Sequence, residues 1–286
     1  MKILVTGGHG QLGLALQRQS NHHALVAFSR EELDIADTAQ INQMIQYEKP
    51  DAVINCGAWT DVDACETDPE KALNVSGYAV GALAEATNKV GGQFVQVSTD
   101  YVFDGTKESP YLETDKPNPL SAYGKSKLLG EELAGSNALI IRTSWVMSLD
   151  GKNMLNTILR LLATDNELHF VDDQVGCPTF TVDLSLAIMT LLEKGAQGIY
   201  HVTNTDPTSW YQFACEVADA VNADQNRVHP IATSDLSPPR LAPRPRNSVL
   251  QNENLQSLGL DLLPAHSHPL LSLCEKTQNF QQNLIR

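Results

Sequence analysis

The run Lys2-Ile-Leu-Val-Thr6, leading straight into Gly7-Gly-His-Gly10-Gln-Leu-Gly13, constrains this chain more than any other stretch. A short apolar, β-branched run reads as a buried parallel strand. The residues after the glycines, with Leu14, Leu16 and Gln17, read as a helix. Glycines at 7, 10 and 13 permit a tight turn, close backbone approach to a pyrophosphate, and close packing of helix on strand. The free amides at such a helix N-terminus bind phosphate. The spacing is G-x-x-G-x-x-G, one residue longer than the G-x-G-x-x-G dinucleotide fingerprint. Alone it would be only a turn. Placed between a strand and a helix, it points to a nucleotide, held by Gly7, His9, Gly10, Gln11, Leu12 and Gly13.

Strand and helix alternate from there to about residue 145. Strands are predicted at 2–6, 24–28, 52–56, 93–98 and 138–142. Helices are predicted at about 11–19, 38–47, 69–89, 120–134, 153–163, 181–193 and 209–221. Asp68-Pro69 reads as the cap and first residue of the third helix. Such alternation predicts an α/β fold with a doubly wound, parallel, Rossmann-type sheet. After Trp145 the pattern loosens into Pro and Gly clusters, without internal repeats or low-complexity tracts.

The chemistry concentrates in two places. Tyr123-Gly-Lys-Ser-Lys127 puts a phenol and an ammonium one helical turn apart on one face. A nearby ammonium favours the phenolate and so predicts a tyrosine pKa below its usual ~10. Tyr123 becomes a proton donor to a carbonyl, with Lys127 tuning it. Phe94-Val-Gln-Val-Ser-Thr99-Asp100 is a strand ending in hydroxyls and a carboxylate, and ligands of open parallel sheets bind beyond the carboxyl ends of strands. Thr99 can therefore bond a substrate carbonyl, although Ser98, Thr99 and Asp100 could equally cap the next turn. The cofactor can be argued locally. An acid at the end of the second strand suits the ribose of NAD, whereas an Arg there accommodates the 2′-phosphate of NADP. Here the strand runs into Ser29 and Arg30, which favours NADPH, with NADH still possible. Arg30 could instead pair with Glu31 or Glu32.

Composition excludes more than it assigns. A net charge of −14 disfavours a nucleic-acid or anionic-membrane partner. No apolar run reaches the length of a membrane span, and Met1 leads directly into a strand, so no secretory signal is expected. Five cysteines without a C-x-x-C pair suggest neither a disulfide framework nor a zinc site. A cytoplasmic location is the expectation.

Gly7 to Gly13, Thr99, Tyr123 and Lys127 together resemble an extended short-chain dehydrogenase/reductase. Further blocks sharpen the likeness: Val53-Ile-Asn-Cys-Gly-Ala-Trp-Thr-Asp-Val-Asp63-Ala-Cys-Glu66, Ser98-Thr-Asp-Tyr-Val-Phe-Asp-Gly105, Tyr123 through Glu131, Arg142-Thr-Ser-Trp145, Asp173 through Thr179, and Arg244-Pro-Arg-Asn-Ser-Val-Leu250. Within that family the series is similar to the reductases of dTDP-4-keto-6-deoxyhexoses. The resemblance implies hydride transfer from NADPH to a C4 ketone, with Thr99, Tyr123 and Lys127 catalytic. It places Asp34, Ile35, Cys56, Gly57 and Ala58 on the cofactor, and Asp100, Trp145, Arg244 and Asn247 on the substrate. It also implies a dinucleotide-binding domain over 1–145, with segments near 166–202 returning to it, and a smaller, mainly substrate-binding domain over 146–286. A monomer or homodimer is expected. Rival readings are a reductase giving the C4 epimer, a 4-epimerase, and a non-catalytic subunit of the methionine adenosyltransferase regulatory type.

One substrate-side argument is independent of resemblance. Arg240, Arg244 and Arg246 cluster in an otherwise acidic chain, among Pro238, Pro239, Pro243 and Pro245, which fix φ and limit the entropy lost on binding. A stiff basic loop suits a diphosphate, or else pairs with surface acids. Other residues carry less. His22 and His23 are expected to face solvent, Cys177 to pack, and His266 and His268 to lack companion ligands, so no metal is assigned. Metal-bridged dimers of the resembled family use an acid in the first helix, and Gln11 to Ser20 contains none.

Overall fold

Apolar segments near residues 2, 24, 52, 93, 139 and 198 assemble into one parallel sheet, because each is flanked by a helix that covers its face. The computed structural model of the chain describes residues 1–19, 22–260 and 263–274. Its first part runs β1 (Lys2–Thr6), α1 (Gln11–Gln19), β2 (Ala24–Phe28), α2 (Thr38–Glu48), β3 (Ala52–Asn55), α3 (Val62–Thr67), α4 (Pro69–Leu73), α5 (Ala79–Lys89), β4 (Gln93–Thr99), α6 (Ala122–Ala134) and β5 (Leu139–Thr143). Then follow β6 (Val146–Met147), α7 (Met154–Leu162), β7 (Leu168–Val171), β8 (Val175–Gly176), β9 (Thr179–Phe180), α8 (Thr181–Glu193), β10 (Gly198–His201), β11 (Thr208–Ser209), α9 (Trp210–Ala220), β12 (Val228–Ile231) and α10 (Glu253–Ser257).

The main sheet has six strands in the order β2-β1-β3-β4-β5-β10, every pairing parallel. From β1 the chain steps outward to β2, then returns to β3 on the other side of β1. At that switch the loops leaving the carboxyl ends diverge and open a crevice. Side-chain alternation along β1 shows why the fold is doubly wound. Ile3 and Val5 pack with Leu16 of α1 and Leu184 and Ile188 of α8. Leu4, between them, packs on the other face with Ile41 and Ile45 of α2 and Leu83 of α5. Burying each such side chain contributes about 1.5–3 kcal/mol. Asp37, Asp68, Ser121 and Ser209 cap α2, α4, α6 and α9 through backbone amides.

Three expectations change. The single helix over 69–89 is interrupted by a π-helical turn at Asn74–Tyr78, between α4 and α5. Ser76 and Gly77 of this turn press on α6, where Cβ atoms added at Gly130 and Gly77 would meet Ser76 O at 2.5 Å and the Leu129 side chain at 2.8 Å. Helical periodicity cannot show such an insertion, because the hydrophobic pattern continues through it. Of the 166–202 stretch, β10 joins the main sheet and α8 packs on it, but β7 pairs with β12 in a separate two-stranded sheet. His23, expected in solvent, is half-buried and lies 2.7 Å from Glu193. A second apolar cluster, including Leu155, Ile158, Phe170, Phe180, Phe213 and Val217, gathers α7, β7, β9 and α9. Among the described residues no helix is long and apolar enough to cross a membrane.

Candidate active site

The carboxyl ends of β1 to β5 open into one cavity of about 760 Å³. Its floor at β1 is the glycine turn. Gly7 has a left-handed φ of 64°, and a Cβ there would sit 2.9 Å from Gly57 N. A Cβ at Gly13 would come within 2.5 Å of Gly7 O. A larger residue at Gly13 would push α1 off the glycine turn, and one at Gly7 would meet the Cys56–Gly57 backbone. The first turn of α1 holds no acidic residue, so its amides present uncompensated partial positive charge to the cavity. His9, Gly10, Gln11 and Leu12 line the same wall.

Ser29, Arg30, Asp34 and Ile35 line the cavity beyond β2, and Cys56, Gly57 and Ala58 line it beyond β3. The alternative that Glu32 neutralises Arg30 is not the arrangement found. Glu32 instead accepts the Ser29 amide at 2.8 Å, and that hydrogen bond holds its carboxyl below the usual range. Burial pushes the Cys56 thiol up to about 12, so it stays a thiol.

Thr99, Tyr123 and Lys127 meet on the opposite wall. Ser121 caps α6 by accepting the Gly124 amide at 3.1 Å. A Cβ at Gly124 would lie only 2.2 Å from Tyr101 O, so glycine there lets α6 approach the end of β4 closely. Thr99 caps the next turn and also lines the cavity. Its hydroxyl accepts the Tyr101 amide at 3.2 Å as a cap and donates to Asp100 Oδ1 at 3.0 Å, while facing the cavity. Burial pushes the Asp100 carboxyl up to about 6. The Tyr101 ring packs edge-on against Tyr123, with centroids 5.7 Å apart.

The expected pairing of Lys127 with the phenol is corrected by these distances. Lys127 Nζ donates to Val97 O at 2.7 Å. Burial lowers its pKa to about 8, opposed by the charge of Glu131. Burial also raises the Tyr123 pKa, with hydrogen bonding to Thr99 pulling the other way. Desolvation outweighs the one-turn proximity on which the sequence argument rested. A phenol held in its protonated form is still a proton donor, which is the role a carbonyl reduction requires.

Trp145 lines the cavity with an unusual backbone. Its φ of 45° is left-handed, uncommon for a bulky residue. The conformation lays its indole on that of Trp210, with centroids 3.5 Å apart and planes 6° from parallel. Trp210 lines the cavity and was missed in the sequence, as were Trp59, Lys71, Tyr101 and Lys152. Trp59 and Tyr101 fall inside the Val53–Glu66 and Ser98–Gly105 blocks, and Trp210 follows the Ser209 cap. Nothing in the sequence pairs it with Trp145.

Arg244 and Asn247 do not line the cavity, contrary to expectation. Arg244 donates to both carboxylate oxygens of Asp63, at 3.1 and 2.8 Å, and Arg240 lies 3.8 Å away. Asn247 Nδ2 donates to Lys107 O at 2.7 Å. The basic loop is thus tied to α3, whose Val62 lines the cavity. Hydrogen bonding to Arg244 holds the Asp63 carboxyl down at about 2. Its depressed folded pKa means the pair stabilises the fold above the unfolded carboxylate pKa of ~3.9 and loses that contribution as pH falls towards 2. Arg244→Ala is expected to lower stability by about 1–3 kcal/mol at neutral pH, with the deficit shrinking as pH falls from 4 towards 2. Melting temperatures across that range check this. Unchanged melting with weakened sugar binding would return Arg244 to the substrate.

The model of the family described as "RmlD substrate binding domain" matches residues 1–278. A curated dTDP-4-dehydrorhamnose reductase of Burkholderia thailandensis is 43% identical over 283 residues, covering 92% of this chain and 94% of the relative. A crystal structure of a dTDP-4-dehydrorhamnose reductase from Clostridium acetobutylicum superposes with a TM-score of 0.93 at 37% identity, covering 97% of this chain and 100% of that one. The structure of the Bacillus anthracis dTDP-4-dehydrorhamnose reductase in complex with NADP gives 0.92 at 33% identity, with 96% and 100% covered. With a family match across nearly its whole length and a relative of this identity, the chain belongs to the RmlD substrate-binding-domain family of extended short-chain dehydrogenase/reductases.

Proposed function

We propose that this protein reduces dTDP-4-dehydro-L-rhamnose to dTDP-L-rhamnose with NADPH. The observation that carries the reading is the convergence of the glycine turn, Thr99, Tyr123 and Lys127 on one cavity at the sheet's carboxyl edge. The cavity suits a dinucleotide. Its β1 wall is a glycine turn packed too closely on backbone to admit side chains, the α1 N-terminus carries no acid against a pyrophosphate, and Arg30 lines the edge beyond β2, which suits a 2′-phosphate. Gly7 to Gly13 would hold the pyrophosphate, Ser29 and Arg30 the phosphorylated ribose, and Asp34, Ile35 and Cys56 to Ala58 the adenine side and riboses. The reduced nicotinamide supplies the hydride.

The chain's own residues supply the rest. Thr99 orients the C4 carbonyl oxygen, and Tyr123, kept protonated by burial, donates its phenolic proton to the oxygen as alkoxide character develops. Lys127 Nζ, three donors on a buried stem, has capacity beyond its bond to Val97 O for a ribose hydroxyl and for charge that develops on Tyr123. The stacked Trp145 and Trp210 form a rigid apolar wall for the sugar ring. Residues 1–145 with α8 and β10 serve the dinucleotide, and the body around α7, β7 and α9 serves the sugar. Holding both reactants in one site converts a two-body encounter into a positioned transfer.

Steady-state oxidation of NADPH tests the reading. It is expected to depend on added dTDP-4-dehydrorhamnose and to consume one NADPH per sugar. Cofactor oxidation independent of the sugar, or none at all, would contradict it.

A further inference from the structure

Below Tyr123 and Lys127, one helical turn further along α6, lies Glu131. The three are spaced four apart and share one face. Glu131 is 6% exposed and Arg142 1%. Arg142 binds Glu131 with both Nε (3.0 and 3.1 Å) and Nη2 (2.6 Å), and Ser98 Oγ donates to the same carboxylate at 2.5 Å. Sheet register sets this up. Ser98 of β4 lies opposite Arg142 of β5, and Arg142 opposite His201 of β10, so the three form a row beneath α6.

Such a pair is a poor choice for stability alone. Desolvating two charges is costly, and well-packed apolar residues of similar volume often stabilise as much or more. The network also leaves Arg142 Nη1 without a hydrogen-bond partner, a further penalty. What it gives is geometry. Lys127 is hooked to Val97 O and Glu131 to Ser98 Oγ, consecutive residues of β4, while Arg142 ties Glu131 to β5. Two anchors one turn apart fix both the height and the rotation of α6 on the sheet.

We propose that the Glu131–Arg142 pair is a positioning device that holds α6 in register with β4 and β5, so that Lys127 and Tyr123 present to the cavity in reactive geometry. The proposal rests on the reductase reading, but its test separates the two. Glu131 also favours the ammonium of Lys127. The other titratable group acting on Lys127 is Cys56, beyond β3, and Tyr123 and Asp100 line the same cavity. His201 adds no charge. Burial, with Arg142 next in effect, holds its pKa down to about 3, and its Nδ1 is engaged by the carbonyls of Tyr111 and Gln251, both at 3.1 Å.

Two variants of the full-length protein test this. Glu131→Gln keeps the shape and removes the charge, and is expected to move the alkaline limb of the kcat profile to lower pH. The double variant Glu131→Leu with Arg142→Met leaves no lone buried ion. It is expected to fold and to lose at least about tenfold in kcat, with the KM for the sugar within about threefold of wild type. A merely structural pair would lower melting temperature and leave kcat and the limb in place, which overturns the proposal. If Glu131→Gln fails to fold, the double variant's kcat decides alone. Failure of the reductase reading shows separately, as absence of turnover in the wild-type protein.

Discussion

Tyr123→Phe is expected to keep NADPH binding and lose turnover by roughly 10²–10⁴-fold, the usual contribution of a positioned general acid. The ring stays, so the edge-on packing against Tyr101 survives and the fold should be undisturbed. Only the hydroxyl goes, and with it the proton for the nascent alkoxide. The structure sharpens the reason. Because burial raises the phenol's pKa, Tyr123 is a proton reservoir across the neutral range. Lys127 is the group whose titration, near 8, should set the alkaline limb of the wild-type profile. Single-turnover kinetics with bound NADPH measure the loss. A variant retaining above about a third of the wild-type rate would remove Tyr123 from the mechanism.

Arg30→Ala should shift cofactor preference rather than chemistry. Arg30 is exposed at the cavity edge beyond β2, and the neighbouring Glu32 is occupied with the Ser29 amide. Hydrogen bonds to ionised groups contribute about 1.5–3 kcal/mol. At about 1.4 kcal/mol per decade, the KM for NADPH should rise roughly ten- to a hundredfold, while that for NADH barely moves. Comparing the two cofactors on one variant isolates the 2′-phosphate, since everything else is shared. Equal changes for both would mean Arg30 does not meet that phosphate.

Much of this was legible in the sequence, for identifiable reasons. The glycine turn, the strand ends at Thr99 and Cys56, and the Tyr123–Lys127 face are local patterns. An open parallel sheet brings all its carboxyl ends to one side, so correct strand assignment alone places them in one cavity. What failed depended on contacts between distant segments. Charge density left the basic loop open to a diphosphate or to pairing with surface acids, and Asp63 of α3 engages Arg244 bidentately. No sequence spacing links positions 63 and 244. The Tyr123 pKa was read from one neighbour, whereas burial decides it. The π turn at Asn74–Tyr78 is invisible to periodicity, yet its Ser76 hydroxyl accepts the Trp59 amide at 3.2 Å and so shapes the cavity wall. The Trp145–Trp210 stack requires a left-handed tryptophan backbone that no propensity argument would choose.

Transfer of isotope from cofactor to sugar follows the hydride itself to C4. With NADPH deuterated at the transferred position of its nicotinamide ring and dTDP-4-dehydrorhamnose, the product recovered and read by NMR should be dTDP-L-rhamnose. It should carry one deuterium at C4 for each NADPH oxidised. A product without deuterium at C4, or the C4 epimer of dTDP-L-rhamnose, would contradict the account.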